Sequence, residues 1–171
     1  MTNAVMHEAP PARALERRDD IGRLVAATWH GTGAGESTGA LRWLVAVDGS
    51  ECSLRAVAMA AGLAALEHAE VDLVHVEPWL NKEAAETELP RRAWVATAGA
   101  RQLLEAASVR WRLHVVMGEA APEIVCMAEA LGSRGIVIGS RGLGSAKSML
   151  LGSVASKIVH MVKKTSILLV R

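Results

Sequence analysis

This sequence predicts a doubly wound α/β fold on a parallel sheet, and three observations carry the prediction. From residue 41 onward, apolar runs of strand length alternate with helical patterns in the order β-α-β-α-β-α-β-α-β. The strand runs are almost continuously apolar, as in parallel sheets covered by helices on both faces. A glycine-rich loop leaves the fourth strand, and such sheets bind ligands outside the carboxyl ends of their strands, near the switch in strand order. Five parallel strands are expected, in a Rossmann-like arrangement with right-handed crossovers.

The elements follow in order. Leu41 to Val47 (LRWLVAV) is the first strand. Asp48-Gly49-Ser50 ends it, and Ser50 or Ser53 is placed to cap an alanine-rich helix to about His68, with Leu54, Val57, Ala61 and Ala64 on one face. VDLVHV, Val71 to Val76, is the second strand, stopped by Glu77-Pro78. An acidic, polar stretch from Asn81 to Pro90 precedes a helix over Arg91 to Ala107, with Val95, Leu103 and Leu104 toward the core. RLHVVM, Arg112 to Met117, is the third strand, followed by a helix over Ala121 to Leu131 with Ile124, Val125, Ala128 and Leu131 inward. The fourth strand holds Ile136 to Ile138, the fourth helix runs from Ser153 to Lys164, and SILLV, Ser166 to Val170, is the last strand.

Residues 1–40 stand apart. Pro10-Pro11 breaks the start, a short helix over Ala12 to His30 is expected, and GTGAGESTGA reads as a flexible linker. The chain is thus expected to hold a mobile N-terminal extension, 1–40, and an α/β domain, 41–171.

At 171 residues, 51% of them apolar, the chain is long enough for a packed core. It has no apolar run of about 18 residues and no apolar signal core near the N-terminus, so a cytoplasmic protein without a membrane span is expected. Cys52 and Cys126 form no metal-ligand spacing and are expected to be reduced. The net charge of +1 hides an asymmetry: the last acid is Glu129, and residues 130–171 carry seven bases and no acid. A basic third that contains the glycine loop suits an anionic ligand. For Lys157, Lys163 and Lys164 a solvated helix face explains the same residues. Tyr and Phe are absent and the five Trp are scattered, so no base-stacking platform for nucleic acid is present.

The stretch that carries chemistry is IVIGSRGLGSAKSMLLGSV, with the spacing Gly139-x2-Gly142-x9-Gly152-Ser153. A loop leaving a strand and a small-residue turn entering a helix both present backbone N–H groups, which bind anions; this stretch is expected to hold the phosphates of a nucleotide. It is not a P-loop, because Gly139-x4-Gly144 is followed by Ser145-Ala146, with Lys147-Ser148 two positions late. Arg141 and Lys147 reach either phosphate or solvent. Asp48, where an apolar run ends in a carboxylate, accepts from a sugar or base, helps hold a cation, or closes an Asx turn. The histidines and serines form no catalytic constellation. His75 and His114 are expected on strands of one sheet, packed inward or at an edge.

The glycine spacing resembles the signature of the universal stress protein family, G-x2-G-x9-G-[ST]. LVAVDGSECS resembles the family's first strand and its aspartate, LVHVEP the second strand, and VVMGEAAPEIVCMAEALGSRGIVIGSRGLG the segment leading into the loop. The likeness covers about residues 41–171. It implies strand order 3-2-1-4-5, a homodimer often joined through the last strand, and binding of ATP; magnesium or manganese is the cation open to the bound phosphates. Carried over residue by residue, Ala46, Val47 and Asp48 border the adenosine and Val76 meets the adenine through its backbone. Ile138, Gly139, Arg141 and Gly142 flank ribose and phosphate, and Gly152, Ser153 and Val154 hold phosphates. Two positions depart from the pattern: Ala155 replaces a hydroxyl, and Gly135 stands where an aspartate is common. Pro78 to Arg91 falls in a variable part of the family, a place for a lid. Three functions remain open: a regulatory protein in which ATP is a conformational or partner-binding signal during stress, a slow ATP hydrolase using Asp48 and a divalent cation, and a nucleotide-free dimeric interaction module.

Overall fold

The computed structural model describes residues 9–31, 39–143 and 151–171. Seven strands form one sheet: β1 (Leu15–Arg18), β2 (Leu24–His30), β3 (Arg42–Ala46), β4 (Glu70–Glu77), β5 (Trp111–Met117), β6 (Gly135–Gly139) and β7 (Ser166–Val170). The helices are α1 (Glu51–Glu67), α2 (Lys82–Ala96), α3 (Ala98–Ala106), α4 (Ala120–Ala130) and α5 (Ser153–Met161). The strand order is β1-β2-β5-β4-β3-β6-β7. The five strands from β3 onward pair in parallel, and within them the order matches 3-2-1-4-5.

The expected five-stranded parallel sheet is therefore corrected to a seven-stranded mixed one. The expected helix over Ala12 to His30 is instead the pair β1 and β2, β2 lying antiparallel on β5 and β1 antiparallel on β2. The physical reason lies in burial. Leu24, Val25, Ala27 and Trp29 are all buried in one core, and a strand beside β5 turns Val25, Ala27 and Trp29 to that core at its two-residue period. Residues 9–31, expected to be mobile, carry part of the core.

Local capping sets the helix starts. The Ser50 hydroxyl accepts from the Ser53 N–H at 3.1 Å and begins α1, and Asn81 accepts from the Ala84 N–H at 2.8 Å and begins α2. The polar stretch read as a lid is the first half of α2, which continues through Pro90. A proline cannot donate to the carbonyl four residues earlier. That carbonyl, of Glu86, accepts instead from the Arg13 guanidinium at 3.1 Å. The single helix expected over Arg91 to Ala107 is split at Thr97, whose hydroxyl donates to the Ala93 carbonyl at 2.7 Å. Val95 faces outward, whereas Leu104 is fully buried.

Two cores flank the sheet. Val57, Ala60, Leu89, Ala93 and Leu104 of α1, α2 and α3 pack on one face; Ile124, Ala128, Ala155 and Ile158 of α4 and α5 pack on the other. The chain changes faces where β3 separates the β4–β5 side from the β6–β7 side, so the switch in strand order falls between β3 and β6. Gly135 enters β6 beneath the Trp43 ring, where an added Cβ would lie 2.5 Å from it, so Trp43 crowds any side chain at that position. Cys52 is buried and Cys126 exposed; both are free.

Candidate nucleotide site

The carboxyl ends of β3, β4 and β6 and the start of α5 enclose a cavity of about 480 Å³, within the size range of small-ligand sites. Each element contributes what its sequence dictates. β3 ends at Ala46, and Ala46, Val47 and Asp48 form one wall. Asp48 is half-buried. Its Oδ1 accepts from the Ser50 N–H at 3.0 Å, which is an Asx turn, and its Oδ2 accepts from the Leu143 N–H at 3.1 Å. Burial by itself pushes the Asp48 carboxyl up. Hydrogen bonds from Ser50, from the Leu143 N–H and from Ser53 outweigh burial and hold it below the usual carboxylate range.

On the second wall, β3 leaves β4 after pairing Ala46 with Val74, and the last bond between the two strands runs from the Val47 N–H to the Val74 carbonyl at 2.9 Å. Ladder groups of one strand turn to the same neighbour every second residue, so the main chain of Val76 turns toward the position β3 has vacated. Val74 and Val76 line the cavity there.

The third wall is the glycine loop. An added Cβ at Gly139 would lie 2.9 Å from the backbone of Cys52, and one at Gly142 would lie 2.6 Å from Asp48 Oδ2. Both glycines are required by close approach, the first of β6 to α1 and the second of the loop to the Asp48 carboxylate. Cys52 Sγ lies 3.9 Å from the Ser140 hydroxyl. Burial pushes its thiol up, but the Arg141 N–H, Arg55 and Ser140 hold it below its ordinary value.

The fourth wall is the N-terminus of α5. Gly152 is its N-cap, with φ −70° and ψ 157° and no side-chain cap. The helical bonding begins with the Ser156 N–H donating to the Gly152 carbonyl at 2.9 Å. The N–H groups of Ser153, Val154 and Ala155 thus precede the first helical donor and point out of the positive end of the helix. All three residues line the cavity. The Ser140 peptide brings the two turns together: its N–H donates to the Val170 carbonyl and its carbonyl accepts from the Gly152 N–H, each at 2.6 Å.

Every site residue expected from the sequence therefore borders one cavity: Ala46, Val47, Asp48 and Val76 on the strand side, Ile138, Gly139, Arg141 and Gly142 along the loop, and Gly152, Ser153 and Val154 at the helix. Gly144 and Lys147 lie outside the described residues. The sequence reading missed Val74, Ala120, Ile124, Leu143, Ala155 and the Ser53 side of the wall. Val74 was legible from the two-residue period with Val76. Ala120 and Ile124 share a helical face at i, i+4, but nothing in the sequence says that α4 turns that face to this cavity. Among the described residues no group of three or more His, Cys, Asp or Glu is placed to hold a metal ion, and no helix is long and apolar enough to cross a membrane. Of the C-terminal bases, Lys157 pairs with Glu119 on the surface, while Arg141 borders the cavity.

A doubly wound α/β domain with an apolar crevice at its switch point, and backbone N–H groups converging at one end, is built to take a ligand with an apolar body and an anionic tail. The chain belongs to the universal stress protein family, whose profile matches residues 41–171. It is 30% identical over 140 residues to universal stress protein YxiE of Bacillus subtilis, covering 70% of this chain and 92% of that protein. Among solved structures it is similar to that of MJ0577, whose biochemical function was assigned from its structure, with a TM-score of 0.68 and 26% identity over 76% of this chain and 94% of that one. A universal stress protein in complex with cAMP shares the fold, with a TM-score of 0.65 and 24% identity over 78% and 99% of the two chains.

Proposed function

We propose that this chain is an ATP-binding regulatory protein of the stress response, in which bound ATP is a conformational or partner-binding signal. One observation carries the reading: the turns at 139–143 and 152–155 converge on a single cavity beside Asp48, with the α5 N-terminus uncapped. The apolar end, with Ile138, Ile124 and Val74, suits a base; the vacated main chain of Val76 suits its polar edge; the α5 N–H groups and Arg141 suit phosphates. The cAMP complex of a relative supports an adenine nucleotide as the ligand class. Magnesium or manganese would be held chiefly by the phosphates, since among the described residues no group of three or more His, Cys, Asp or Glu is placed to hold a metal ion.

In this reading residues 41–171 are the nucleotide domain and residues 1–40 an extension whose described strands dock on it. The protein is cytoplasmic and forms a homodimer through β7, an apolar edge strand paired on one side by β6. Extraction of protein purified without added nucleotide should release an adenine nucleotide, and calorimetry should show ATP binding. Gly142→Val, which drives a side chain into the Asp48 carboxylate, should weaken ATP at least about tenfold, since the displaced loop takes its N–H groups with it. Unchanged affinity in a folded Gly142→Val protein would reject the site.

A further inference from the structure

The end of the last strand and the phosphate turns meet at one residue. Ser140 follows β6 directly. Its N–H donates to the Val170 carbonyl and its carbonyl accepts from the Gly152 N–H, each at 2.6 Å. In a continuing parallel ladder the Ser140 carbonyl would meet the N–H two residues after Val170. Gly152, the N-cap of α5, takes that place, so the helix that closes the cavity starts where β7 stops. Two groups of α1 hold the same strand end. Cys52 Sγ lies 3.4 Å from the Val170 carbonyl, and Arg55 Nε donates to the Arg171 main-chain oxygen at 2.8 Å. The Cys52 backbone meanwhile packs on Gly139, at the root of the glycine loop.

β7 has a strand on one side only. Val170 turns its carbonyl to β6, so the main-chain groups of Leu169 turn to the open edge. A strand end paired on one side opens locally more readily than one paired on both. When it opens, the Val170 carbonyl leaves the Ser140 N–H. Ser140 is buried, and an unpaired N–H there is costly, so the residue shifts to regain a partner. The shift displaces the turn from Gly139 to Leu143 against the α5 N-terminus, because Gly152 hangs on the Ser140 carbonyl. A second copy paired along Leu169 suppresses the opening.

We infer that β7 couples assembly to the site: pairing of its edge with a second copy and nucleotide binding strengthen each other, through the clasp of Ser140, Cys52 and Arg55 on the end of the strand. The inference rests on the nucleotide reading and on the β7 interface proposed with it, and adds regulation to that site. The sign follows from the geometry. The closed strand end is the form in which the two phosphate turns converge, and it is also the form that offers a straight edge to a partner. Each binding event favours the same state, so the coupling is positive, and by linkage it is reciprocal.

The dimer dissociation constant of the wild type is measured by sedimentation, without nucleotide and with saturating ATP. ATP affinity is measured by calorimetry for the wild type, Leu169→Lys, Arg55→Ala and the double variant. ATP should bind about fivefold tighter to the wild-type dimer than to the Leu169→Lys monomer, the low end of common couplings between sites. A dimer holds two sites, so the factor enters squared, and saturating ATP should lower the wild-type dimer dissociation constant about 25-fold. Arg55→Ala removes one tie of the strand end; the Arg55 pair with Glu51 is exposed and contributes little. Its loss of ATP affinity should be larger in the Leu169→Lys monomer, where no partner strand holds β7, than in the dimer. Equal losses in the two backgrounds overturn the route through the strand end and with it the inference. A dimer dissociation constant that ATP leaves unchanged or raises, in protein that binds ATP, overturns the inference and leaves the nucleotide reading intact. A wild type that stays monomeric with and without ATP overturns the inference together with the β7 interface. Absence of ATP binding by the wild type overturns the nucleotide reading as well.

Discussion

At the scale of single residues, the buried carboxylates are where the structure makes the sharpest demands. Asp72 is fully buried on β4 and accepts from Arg112 Nε at 2.8 Å and from His114 Nε2 at 3.0 Å. Burial pushes its carboxyl up, yet the His114 and Arg112 side chains outweigh it and hold Asp72 below the usual carboxylate range. A carboxyl lowered on folding stabilises the protein above its unfolded pKa of about 4, and that stability is lost as pH falls through the lower folded value. Asp72→Asn should therefore cost about 3 kcal/mol at pH 7, because it removes the buried charge that Arg112 and His114 both meet. The gap to wild type should close as pH drops below about 4, which denaturant melts at pH 7, 4 and 2.5 would reveal; a gap that does not change with pH would assign the loss to packing. The glycine signature was legible as spacing. That Gly142 is needed because of the Asp48 carboxylate, and Gly139 because of the Cys52 backbone, was not, since each close neighbour comes from another part of the chain.

Among the elements, the N-terminal pair of strands departs most from what the sequence suggests. β2 covers the edge of β5, and the Trp29 ring packs on Trp94 of α2 with centroids 6.0 Å apart. β1 then forms the outer edge: four residues, all exposed, three of them charged, with an irregular register between Arg17 and Arg18. A short, charged, irregular strand is a poor template for pairing with another sheet. Around it, Arg13 and Arg18 bind Glu86, Arg23 reaches the Leu80 carbonyl, and Lys82 reaches the Ile21 carbonyl, so this segment is fastened to both ends of the first half of α2. Removal of residues 1–31 should bare β5 and the Trp94 face together. The truncated protein should melt at least about 10 °C lower and form soluble aggregates, read by calorimetry and light scattering. A truncated chain that melts as the full one does, and stays the same size, would make the two strands dispensable. Helical periodicity misread this segment because Leu24, Val25, Thr28 and Trp29 fall on one helical stripe, while Val25, Ala27 and Trp29 also alternate as the buried face of a strand.

Across the whole molecule, the two sheet edges are unequal. β1 closes one side with charge, whereas β7 offers Ile167, Leu168, Leu169 and Val170, with Leu169 41% exposed. A dimer through β7 would pair apolar edges and leave only the blunted ones outside. Sedimentation should show a dimer for the wild type and a monomer for Leu169→Lys, which sets like charges against each other across a two-fold axis; a wild-type monomer at high concentration would rule out that interface. The Ser140 peptide links this edge to the site, through Val170 on one side and Gly152 on the other. The sequence by itself determined the alternation of five parallel strands with helices and the glycine loop that follows the fourth. These are local patterns of period two, period 3.6 and glycine spacing, and each is written in contiguous residues. Tertiary structure alone decided that residues 15–30 extend the sheet, that α2 runs through Pro90 while Arg13 takes the released Glu86 carbonyl, and that the His75 ring meets the Val47 carbonyl. In each case the partner lies on a different element, and contacts between distant segments leave no periodic mark on either one.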